Sequence, residues 1–382
     1  MKKSSILLVA LSAFCLKGSV YAQSDNGVVR LEEFRNPKMR ENIVIPSVEG
    51  KLVLKCDFHM HTVFTDGHVW PNVRVQEAWK EGLDAISITD HVEILPFKAD
   101  VKPNNQRGYE LAKNLAAENN LILIQGTEVT RKTPPGHFNA LFITSDKGLI
   151  EDLNQELDEE AIQAVVDQNA FVFWNHPGWK STQVAGSYEW LPFVDKMYKA
   201  GTLKGIEVVN GLGFHKKALD WAIDRNLTVL GNTDIHNLIA HDYDITRKGV
   251  HRTMTLVMAK DRSASSIREA LELGNTVAWS SKYLFGREDN VRSLFHACVK
   301  LSKPYYEKNT SQGKVTKYYE ITNSSDLYFE LVLKQGKGTK NIILYPQSTQ
   351  ILTAESGQDS LRYEVVSTYI RSDKHLVVDL GL

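Results

Sequence analysis

The sequence predicts an α/β protein in which a closed barrel precedes a small all-β domain. Short apolar strands, loops and amphipathic helices alternate between residues 50 and 282, a rhythm typical of parallel α/β architecture. Seven or eight such units over roughly 230 residues fit a closed barrel better than an open sheet. After residue 283 short strands separated by Gly, Ser and Asn turns predominate, which indicates an all-β module.

The elements of the barrel follow from hydrophobic periodicity. Strands are predicted at Leu52–Phe58, Ala85–Thr89, Leu121–Thr127, Ala140–Thr144, Phe171–Asn175, Gly205–Asn210, Thr228–Asn232 and Thr253–Met258. Helices are predicted at Arg74–Glu81, Arg107–Glu118, Ala161–Gln168, Phe214–Arg225 and Ser265–Leu273. We assign residues 50–282 to this barrel.

The C-terminal part divides into a helical linker, residues 283–305, and a β-rich domain, residues 306–382. The helical pattern covers Arg287–Leu301. Strands are predicted at Lys314–Thr322, Leu327–Lys334, Ile342–Gln350, Arg362–Tyr369 and His375–Asp379. Five short strands fit a small sandwich. Three roles for this domain stay open: capping of the barrel, dimerisation and presentation of a carbohydrate surface. No motif distinguishes among them.

The N-terminus predicts export. Residues 1–22 combine a basic start, an apolar stretch over Ser5–Leu16 and a small-x-small site at Val20–Ala22, as in a cleaved signal peptide. A retained anchor and a lipid-modified Cys15 are the alternatives, but the apolar stretch is too short to span a bilayer and Phe14 fits poorly before a lipidated cysteine. Residues 23–49 then form an N-terminal extension. The expected location is periplasmic or secreted, with no membrane span in the mature chain.

Charge and cysteine content narrow the function classes. Of the 382 residues, 42% are hydrophobic and 24% charged, which is ordinary globular composition. Removal of residues 1–22 takes away three lysines and lowers the formal charge from −1 to −4, so no basic excess favours a polynucleotide partner. Two cysteines would remain, Cys56 and Cys298. One bridge is conceivable, but Cys56 lies in an apolar strand and fits a buried thiol better.

Histidines and carboxylates recur where the predicted strands end. His59 and His61 end the first strand at i and i+2, so both side chains point the same way. In a parallel barrel the carboxyl ends of all strands open on one face, where residues distant in sequence converge. The same placement recurs in TDH, GTE, NHP and DIH, and in the histidine that precedes Phe138, which together contribute His91, Glu128, His176, Asp234, His236 and His137.

The ordered series HxH, DG, TDH, GTE, H, NHP, DxH resembles the PHP family, the polymerase and histidinol phosphatase metalloenzymes. The resemblance covers roughly residues 50–282 and implies a distorted (β/α)7 TIM-like barrel with up to three divalent metals. It implies that the first metal is held by His59, His61, Glu128 and Asp234. It implies that Glu128 also bridges to a second metal held by His137 and His176, and that Asp66, His91 and His236 hold a third. His68 is an alternative to Asp66, although Asp-Gly after HxHT is the more frequent family form.

A finer resemblance concerns the branch of the family. The segments VWPNVRVQEAWKEGLDAISITDHVE and WNHPGW, the signal and the β-rich tail are similar to the secreted bacterial Sb-PDE family phosphodiesterases. This resemblance implies hydrolysis of small organophosphate diesters. The expected partner is therefore a small phosphoester, and the oligomeric state stays open.

The chemistry of the ligand set supports the same conclusion. Imidazole and carboxylate suit Mn, Zn or Fe, and a cluster without cysteine is unlike a closed structural zinc site. Two cations bridged by a carboxylate lower the pKa of a bridging water from ~16 towards neutrality, and a third can bind the phosphoryl oxygens. We therefore expect attack on phosphorus by a metal-bridging hydroxide in a trinuclear metal centre.

Other residues are candidates for contacts with the substrate. Arg131, His68 and Asn210 are the predicted catalytic residues, Asn210 as a substrate contact or a ligand-orienting group. Further candidates for protonating the leaving group are Lys132, His241 and His251. Trp174 is expected in the core and Trp179 at the site, beside an aryl or alkyl leaving group. Asp57, Asp90 and Asn175 neighbour ligands on strands, so they should face away from the metals.

Three alternatives to a phosphodiesterase remain open at this point. One is a nucleotide or oligonucleotide phosphoesterase of the same fold. Another is an envelope- or glycan-binding module with an inactive barrel, which the intact ligand motifs disfavour. The third is a metal-dependent amidohydrolase, which is disfavoured because no lysine occupies a convincing bridging position.

Overall fold

The computed structural model of the protein describes residues 39–130, 136–145, 158–179, 188–247, 249–309 and 313–382. Its first part contains β1 (Leu52–Asp57), α1 (Pro71–Lys80), β2 (Ala85–Ile88), α2 (Arg107–Glu118), β3 (Ile122–Thr130), β4 (His137–Leu141), α3 (Asp158–Val166), β5 (Phe171–Trp174), α4 (Pro192–Lys199), β6 (Leu203–Asn210), β7 (Gly213–Phe214), α5 (Lys216–Asp224), β8 (Thr228–Asn232), α6 (Ile239–Asp242), β9 (Met254–Ala259), α7 (Ala264–Glu272) and β10 (Thr276–Ser280). The second part contains β11 (Tyr283–Gly286), α8 (Glu288–Cys298), β12 (Val299–Leu301), β13 (Tyr306–Asn309), β14 (Val315–Asn323), β15 (Phe329–Gln335), β16 (Asn341–Leu344), β17 (Ser348–Glu355), β18 (Ser360–Arg371) and β19 (Lys374–Gly381).

The strands of the barrel run in two directions. β1, β2 and β3 are parallel, as are β5, β6 and β8. β4 is antiparallel to both β3 and β5, and β9 is antiparallel to β1 and β10. The expectation of a wholly parallel barrel was therefore wrong at β4 and β9. At β4 the reason is the short connection: six residues separate Thr130 from His137, enough for a hairpin but not for a crossover.

Side chains rather than a backbone ladder join β8 to β9 and β10 in the described structure. Thr255 Oγ1 accepts a hydrogen bond from the Gly231 amide at 3.0 Å and donates one to the Gly231 carbonyl at 2.8 Å. Thr276 Oγ1 donates to the Val229 carbonyl at 2.7 Å. A Cβ on Gly231 would lie 2.7 Å from the Cβ of Ala278, so only glycine fits this seam. The distorted α/β barrel with a small all-β domain is confirmed as the fold class.

The C-terminal strands form a sandwich that is continuous with the barrel. One sheet contains β15, β16, β18 and β19, and β18 pairs in parallel with β11 at the end of the barrel sheet. In the other sheet β14 pairs with β12, β13 and β17. Tyr369 of β18 stacks on Phe285 of β11 at a centroid distance of 5.2 Å. Arg40–Leu382 form one compact unit, and the domain boundaries given above stay predictions.

Several predicted elements differ from the observed ones. The predicted strand Ile342–Gln350 was wrong, because a turn with Gln347 at φ 51° separates β16 from β17. The helix after residue 287 ends at Cys298, and β12 begins at Val299. The helix α4 and the strands β10 and β13 have no predicted counterpart, since each has eight residues or fewer and shows little periodicity.

Both cysteines of the described residues are buried thiols. Cys56 and Cys298 are fully buried and free, which confirms that Cys56 is a buried thiol and shows that the two form no bridge. Burial raises the pKa of both thiols. Among the described residues, no helix combines the length and apolarity that a membrane crossing requires. The predicted signal peptide and most of the N-terminal extension lie outside the described residues.

Candidate metal centre

All nine predicted ligands lie at one end of the barrel, in three groups of imidazoles and carboxylates. Within each group the possible ligand atoms lie within 4.8 Å of one another. The groups consist of His59, His61, Glu128 and Asp234 (group one), of Glu128, His137 and His176 (group two), and of His61, Asp66, His91 and His236 (group three). The geometry thus brings together every predicted ligand, while the role of each as a ligand stays a prediction.

In group one, two imidazoles face two carboxylates. His59 Nε2 lies 3.0 Å from Glu128 Oε2 and 3.1 Å from Asp234 Oδ1. His61 Nε2 lies 3.2 and 3.0 Å from the same two oxygens. His59 and His61 reach the same point because alternate residues that follow a strand project to the same side. Four ligand atoms therefore converge from three elements of the chain.

Glu128 links groups one and two. Its Oε2 faces group one, whereas its Oε1 lies 3.0 Å from His137 Nδ1 and 3.8 Å from His176 Nε2. A carboxylate that divides its oxygens in this way can bridge two cations. The position of Glu128 matches the bridging role implied by the family resemblance.

Group three is the most open of the three groups. Asp66 Oδ2 lies 3.4 Å from His91 Nε2 and 3.3 Å from His236 Nε2. The side chains of Asp66 and His236 are 28% and 32% exposed. His68, the alternative to Asp66, is exposed, and its Nδ1 lies 2.8 Å from Asn237 Oδ1 instead. The structure therefore places Asp66 in the cluster and His68 outside it.

The charges of the cluster depend on one another. Burial alone would lower the pKa of His59 and His61, but the neighbouring carboxylates, Asp234 foremost, raise the pKa of His59 well above its ordinary value and that of His61 to about 10. Burial would raise the pKa of Glu128 and Asp66, but the facing imidazoles hold the pKa of both carboxyls below their usual range. Without metal, these shifts favour protonated His59 and His61 facing ionised carboxylates in group one, whereas burial lowers the pKa of His91.

The donor set fits divalent metal ions. His61 Nδ1, Asp66 Oδ1 and His176 Nδ1 are buried and have no hydrogen-bond partner. Buried polar atoms normally have a hydrogen-bond partner, so atoms without one in a polar cluster indicate that a further ligand binds there. Imidazole nitrogen and carboxylate oxygen are ligands for Zn, Mn and Fe.

Glu207 is a residue of the candidate site that the sequence did not reveal. It is fully buried in β6, and its Oε1 accepts hydrogen bonds from His59 Nδ1 at 2.8 Å and Asn232 Nδ2 at 3.0 Å. Its Oε2 accepts from the His176 amide at 2.8 Å and from Asn210 Nδ2 at 2.9 Å. A carboxylate on the far nitrogen fixes the tautomer of a metal-binding histidine. A lone glutamate inside the apolar run GIEVVN is the signal that could have revealed it.

Other contacts orient further ligands. Asn210 Nδ2 also donates to Asp234 Oδ2 at 3.2 Å, which fits the ligand-orienting alternative predicted for it. His236 Nδ1 lies 2.8 Å from the Asp234 carbonyl, so Nε2 is left to face group three. His91 Nδ1 lies 2.5 Å from Thr130 Oγ1. In His236 and His91, Nδ1 is therefore held by a polar neighbour while Nε2 faces group three.

Arg74 of α1 forms hydrogen bonds with the two loops that contain His61 and His236. Its fully buried guanidinium donates to the carbonyl oxygens of His61, Ile235, His236 and Asn237 at 2.9, 3.0, 2.9 and 2.6 Å. It also pairs with Glu77 Oε2 at 3.0 Å. The fork of five donors on arginine suits it to collect several acceptors at once.

The polar neighbours of the ligands are structural. Asp90 accepts hydrogen bonds from the Thr62 amide at 2.7 Å and from the Thr62 and Thr65 hydroxyls at 2.6 and 2.8 Å. Asp57 accepts from Thr233 and faces the buried Arg252. Asn175 exchanges hydrogen bonds with Asn139. Neither Asp57 nor Asp90 belongs to one of the three candidate ligand groups among the described residues.

The remaining candidates fall in different places. Arg131 and Lys132 lie outside the described residues. His241 is exposed on α6. The ring of His251 packs on that of Trp279 with 3.7 Å between the ring centroids, and both of its nitrogens lie next to backbone carbonyls. Trp174 is buried in the core, as expected. Trp179 is half-exposed, and its ring centroid lies 5.6 Å from that of His137 and 5.4 Å from that of His176.

A barrel with clustered imidazoles and carboxylates at its strand ends defines a metal-dependent hydrolase. The chain is 39% identical to a two-domain protein of Bacteroides vulgatus that contains a predicted PHP-like metal-dependent phosphoesterase. The match covers 91% of this chain and 100% of that chain, with a TM-score of 0.84. The chain therefore belongs to this family of PHP-like metal-dependent proteins.

Two further comparisons cover parts of the chain. The DUF5001 family model, an Ig-like domain, matches residues 299–381. An uncharacterized protein of Methanocaldococcus jannaschii is 35% identical over 81 residues, which is 21% of this chain. The chain spans about a third, 36%, of the length of that curated relative.

Proposed function

We propose that the protein is a phosphoesterase, and specifically a phosphodiesterase that hydrolyses small phosphate diesters. The observation that supports this most directly is the arrangement around Glu128, whose two oxygens face two adjacent groups while His61 adjoins a third. Three cation-binding groups in one pocket match the several oxygens of a phosphoryl group. The similarity to secreted Sb-PDE phosphodiesterases supports the diester specificity.

The chain contributes a fixed cage of ligands. His59, His61 and Asp234 would hold the first ion, Glu128 would be shared with an ion at His137 and His176, and Asp66, His91 and His236 would form the open side. Divalent ions bound there would polarise the phosphoryl oxygens and lower the pKa of a water molecule. Glu207 and Asn210 keep the group-one ligands in their orientation, so little rearrangement accompanies the reaction.

The proposal includes an exported location. The signal-like residues 1–22 and the absence of a basic excess support a periplasmic or secreted enzyme with a small phosphoester as partner rather than a polynucleotide. N-terminal sequencing of protein recovered from the periplasm or medium tests this: a first residue near Gln23 supports export, and an intact Met1 contradicts it.

Side-by-side assays test the activity. The protein loaded separately with Mn²⁺, Zn²⁺ or Fe²⁺ is offered bis(p-nitrophenyl) phosphate, p-nitrophenyl phosphate, a short RNA and an acyl amide. The proposal expects the fastest turnover with the small diester. If mononucleotide release from RNA is the fastest reaction, the protein is an oligonucleotide hydrolase. If amide cleavage is the fastest, it is an amidohydrolase. Absence of turnover on every substrate would favour a binding module.

Matched variants connect that activity to the cluster. Glu128→Ala removes the bridging carboxylate and should abolish turnover and lower bound metal, because ligands on both sides lose their common partner. Glu320→Ala removes an exposed carboxylate from β14 and should leave both unchanged. Full activity in metal-free Glu128→Ala protein would refute the mechanism.

A further inference from the structure

His176 differs from other histidines of the metal centre in how its imidazole is held. Nδ1 of His59 and Nδ1 of His236 each lie 2.8 Å from a polar partner that orients the ring. His176 Nδ1 has no hydrogen-bond partner among the described residues. Its Nε2 lies 3.8 Å from Glu128 Oε1 and 3.7 Å from Asp234 Oδ2, beyond hydrogen-bonding distance. The direction of this imidazole therefore depends on its backbone.

The backbone at His176 has an uncommon conformation. Its φ of 25° lies in the left-handed region, which residues other than glycine rarely adopt. Pro177 follows, and a proline ring further restricts the backbone of the residue before it. Such a conformation persists only where neighbouring contacts hold it. Glu207 provides one contact, because its Oε2 accepts a hydrogen bond from the His176 amide at 2.8 Å.

His215 provides a second contact, on the other side of Pro177. The Gly178 amide donates a hydrogen bond to His215 Nδ1 at 3.1 Å. Because the donor is an N–H group, Nδ1 carries no proton, and burial favours this neutral ring by lowering the pKa of His215 to about 4. A Cβ at Gly178 would lie 2.9 Å from His215 Nδ1, so the close approach requires glycine.

His215 is itself fixed from two directions. Its amide donates to the Val208 carbonyl of β6 at 2.8 Å. The ring of the preceding Phe214 packs on Phe285 of β11 and on Tyr369 of β18, with centroid distances of 4.5 and 5.2 Å. His215 belongs to none of the three candidate ligand groups among the described residues. Its imidazole is therefore placed to support the turn rather than to bind a metal ion.

We infer that His215 is a positioning residue that keeps His176 directed at group two by accepting the hydrogen bond of the Gly178 amide. The inference rests on the proposed ligand role of His176. Without this acceptor the turn can relax from its left-handed conformation, which moves the imidazole of His176 away from group two. Groups one and three contain no ligand from this turn, so they should keep their ions.

Four variants test the inference in the Mn²⁺-loaded protein. Elemental analysis and chelator competition measure metal content and affinity, and electron paramagnetic resonance detects the magnetic coupling of a carboxylate-bridged pair of ions. His215→Leu and His215→Ala lack the acceptor, so they should weaken the binding of one ion about 10- to 100-fold and remove the signal of the bridged pair. His215→Asn places an amide oxygen near the position of Nδ1 and should retain both. His296→Leu, at an exposed position of α8, should change neither.

The other outcomes overturn the inference. Unchanged affinity in both acceptor-free variants would show that the hydrogen bond to Gly178 does not position His176. An equal loss in His215→Asn would show that the acceptor is not the feature that matters. Equal weakening of all bound ions, or failure of both acceptor-free variants to fold, would show that His215 supports the fold as a whole. If the unaltered protein binds no bridged pair of Mn²⁺ ions, the proposed metal centre fails together with the inference.

Discussion

Replacement of Arg74 by lysine tests whether one buried side chain holds the loops of the metal centre. The guanidinium satisfies four backbone carbonyls and Glu77, and it is fully buried. Lysine has three donors at one nitrogen, so Arg74→Lys removes at least two of these five hydrogen bonds. A hydrogen bond with a charged partner contributes about 1.5–3 kcal/mol, so the loss of two such bonds should lower the free energy of unfolding by about 3–6 kcal/mol.

Urea unfolding of the metal-free protein measures that loss, and elemental analysis of the reloaded protein measures the metal. Because His61 and His236 both belong to group three, we expect metal to be held less tightly there. Arg107→Lys is the matched control, since Arg107 pairs with Glu110 at the exposed surface of α2, where such a pair contributes little. A change in Arg74→Lys within roughly 0.5 kcal/mol of that control, with unaltered metal content, would refute the reasoning.

Three further predictions concern other contacts. Glu207→Gln keeps the shape of the side chain but places an amide nitrogen against hydrogen-bond donors, so metal affinity measured by chelator competition should fall about 10- to 100-fold; unchanged affinity would contradict the orienting role. In the metal-free protein the pKa of His61 is raised to about 10, so it carries a proton at neutral pH that metal must displace. The apparent affinity for metal should therefore rise with pH, and calorimetry in buffers of different ionisation enthalpy should detect proton release on metal binding. Binding heats that do not depend on the buffer would contradict this proton release. Gly231→Ala brings a Cβ to 2.7 Å from Ala278 and should destabilise the protein by about 1–3 kcal/mol in urea unfolding, whereas Gly381→Ala, with open space around it, should not; equal stabilities would show that the seam can relax.

The ligands were predictable because each belongs to a short motif next to a strand. His59 and His61 share a face by strand alternation alone, and the family resemblance supplied the grouping that the structure places together. Glu207 and Arg74 were not predictable in the same way. Their partners are more than 140 residues away in several cases, and nothing in the local pattern of β6 or α1 specifies which carbonyl or imidazole a buried side chain meets.

The direction of β4 explains how a partly wrong topology still gave the right position for His137. In a strand parallel to β3, the first residue would lie at the opposite end of the barrel from the other ligands. Because β4 is antiparallel to β3, with Thr130 opposite His137, the first residue of β4 lies at the end where β3 finishes. Glu128 and His137 then approach across a hairpin, with 3.0 Å between Oε1 and Nδ1. The six-residue connection, which rules out a crossover, is thus what places His137 in group two, and an insertion long enough to form a crossover helix there should remove it from the metal centre.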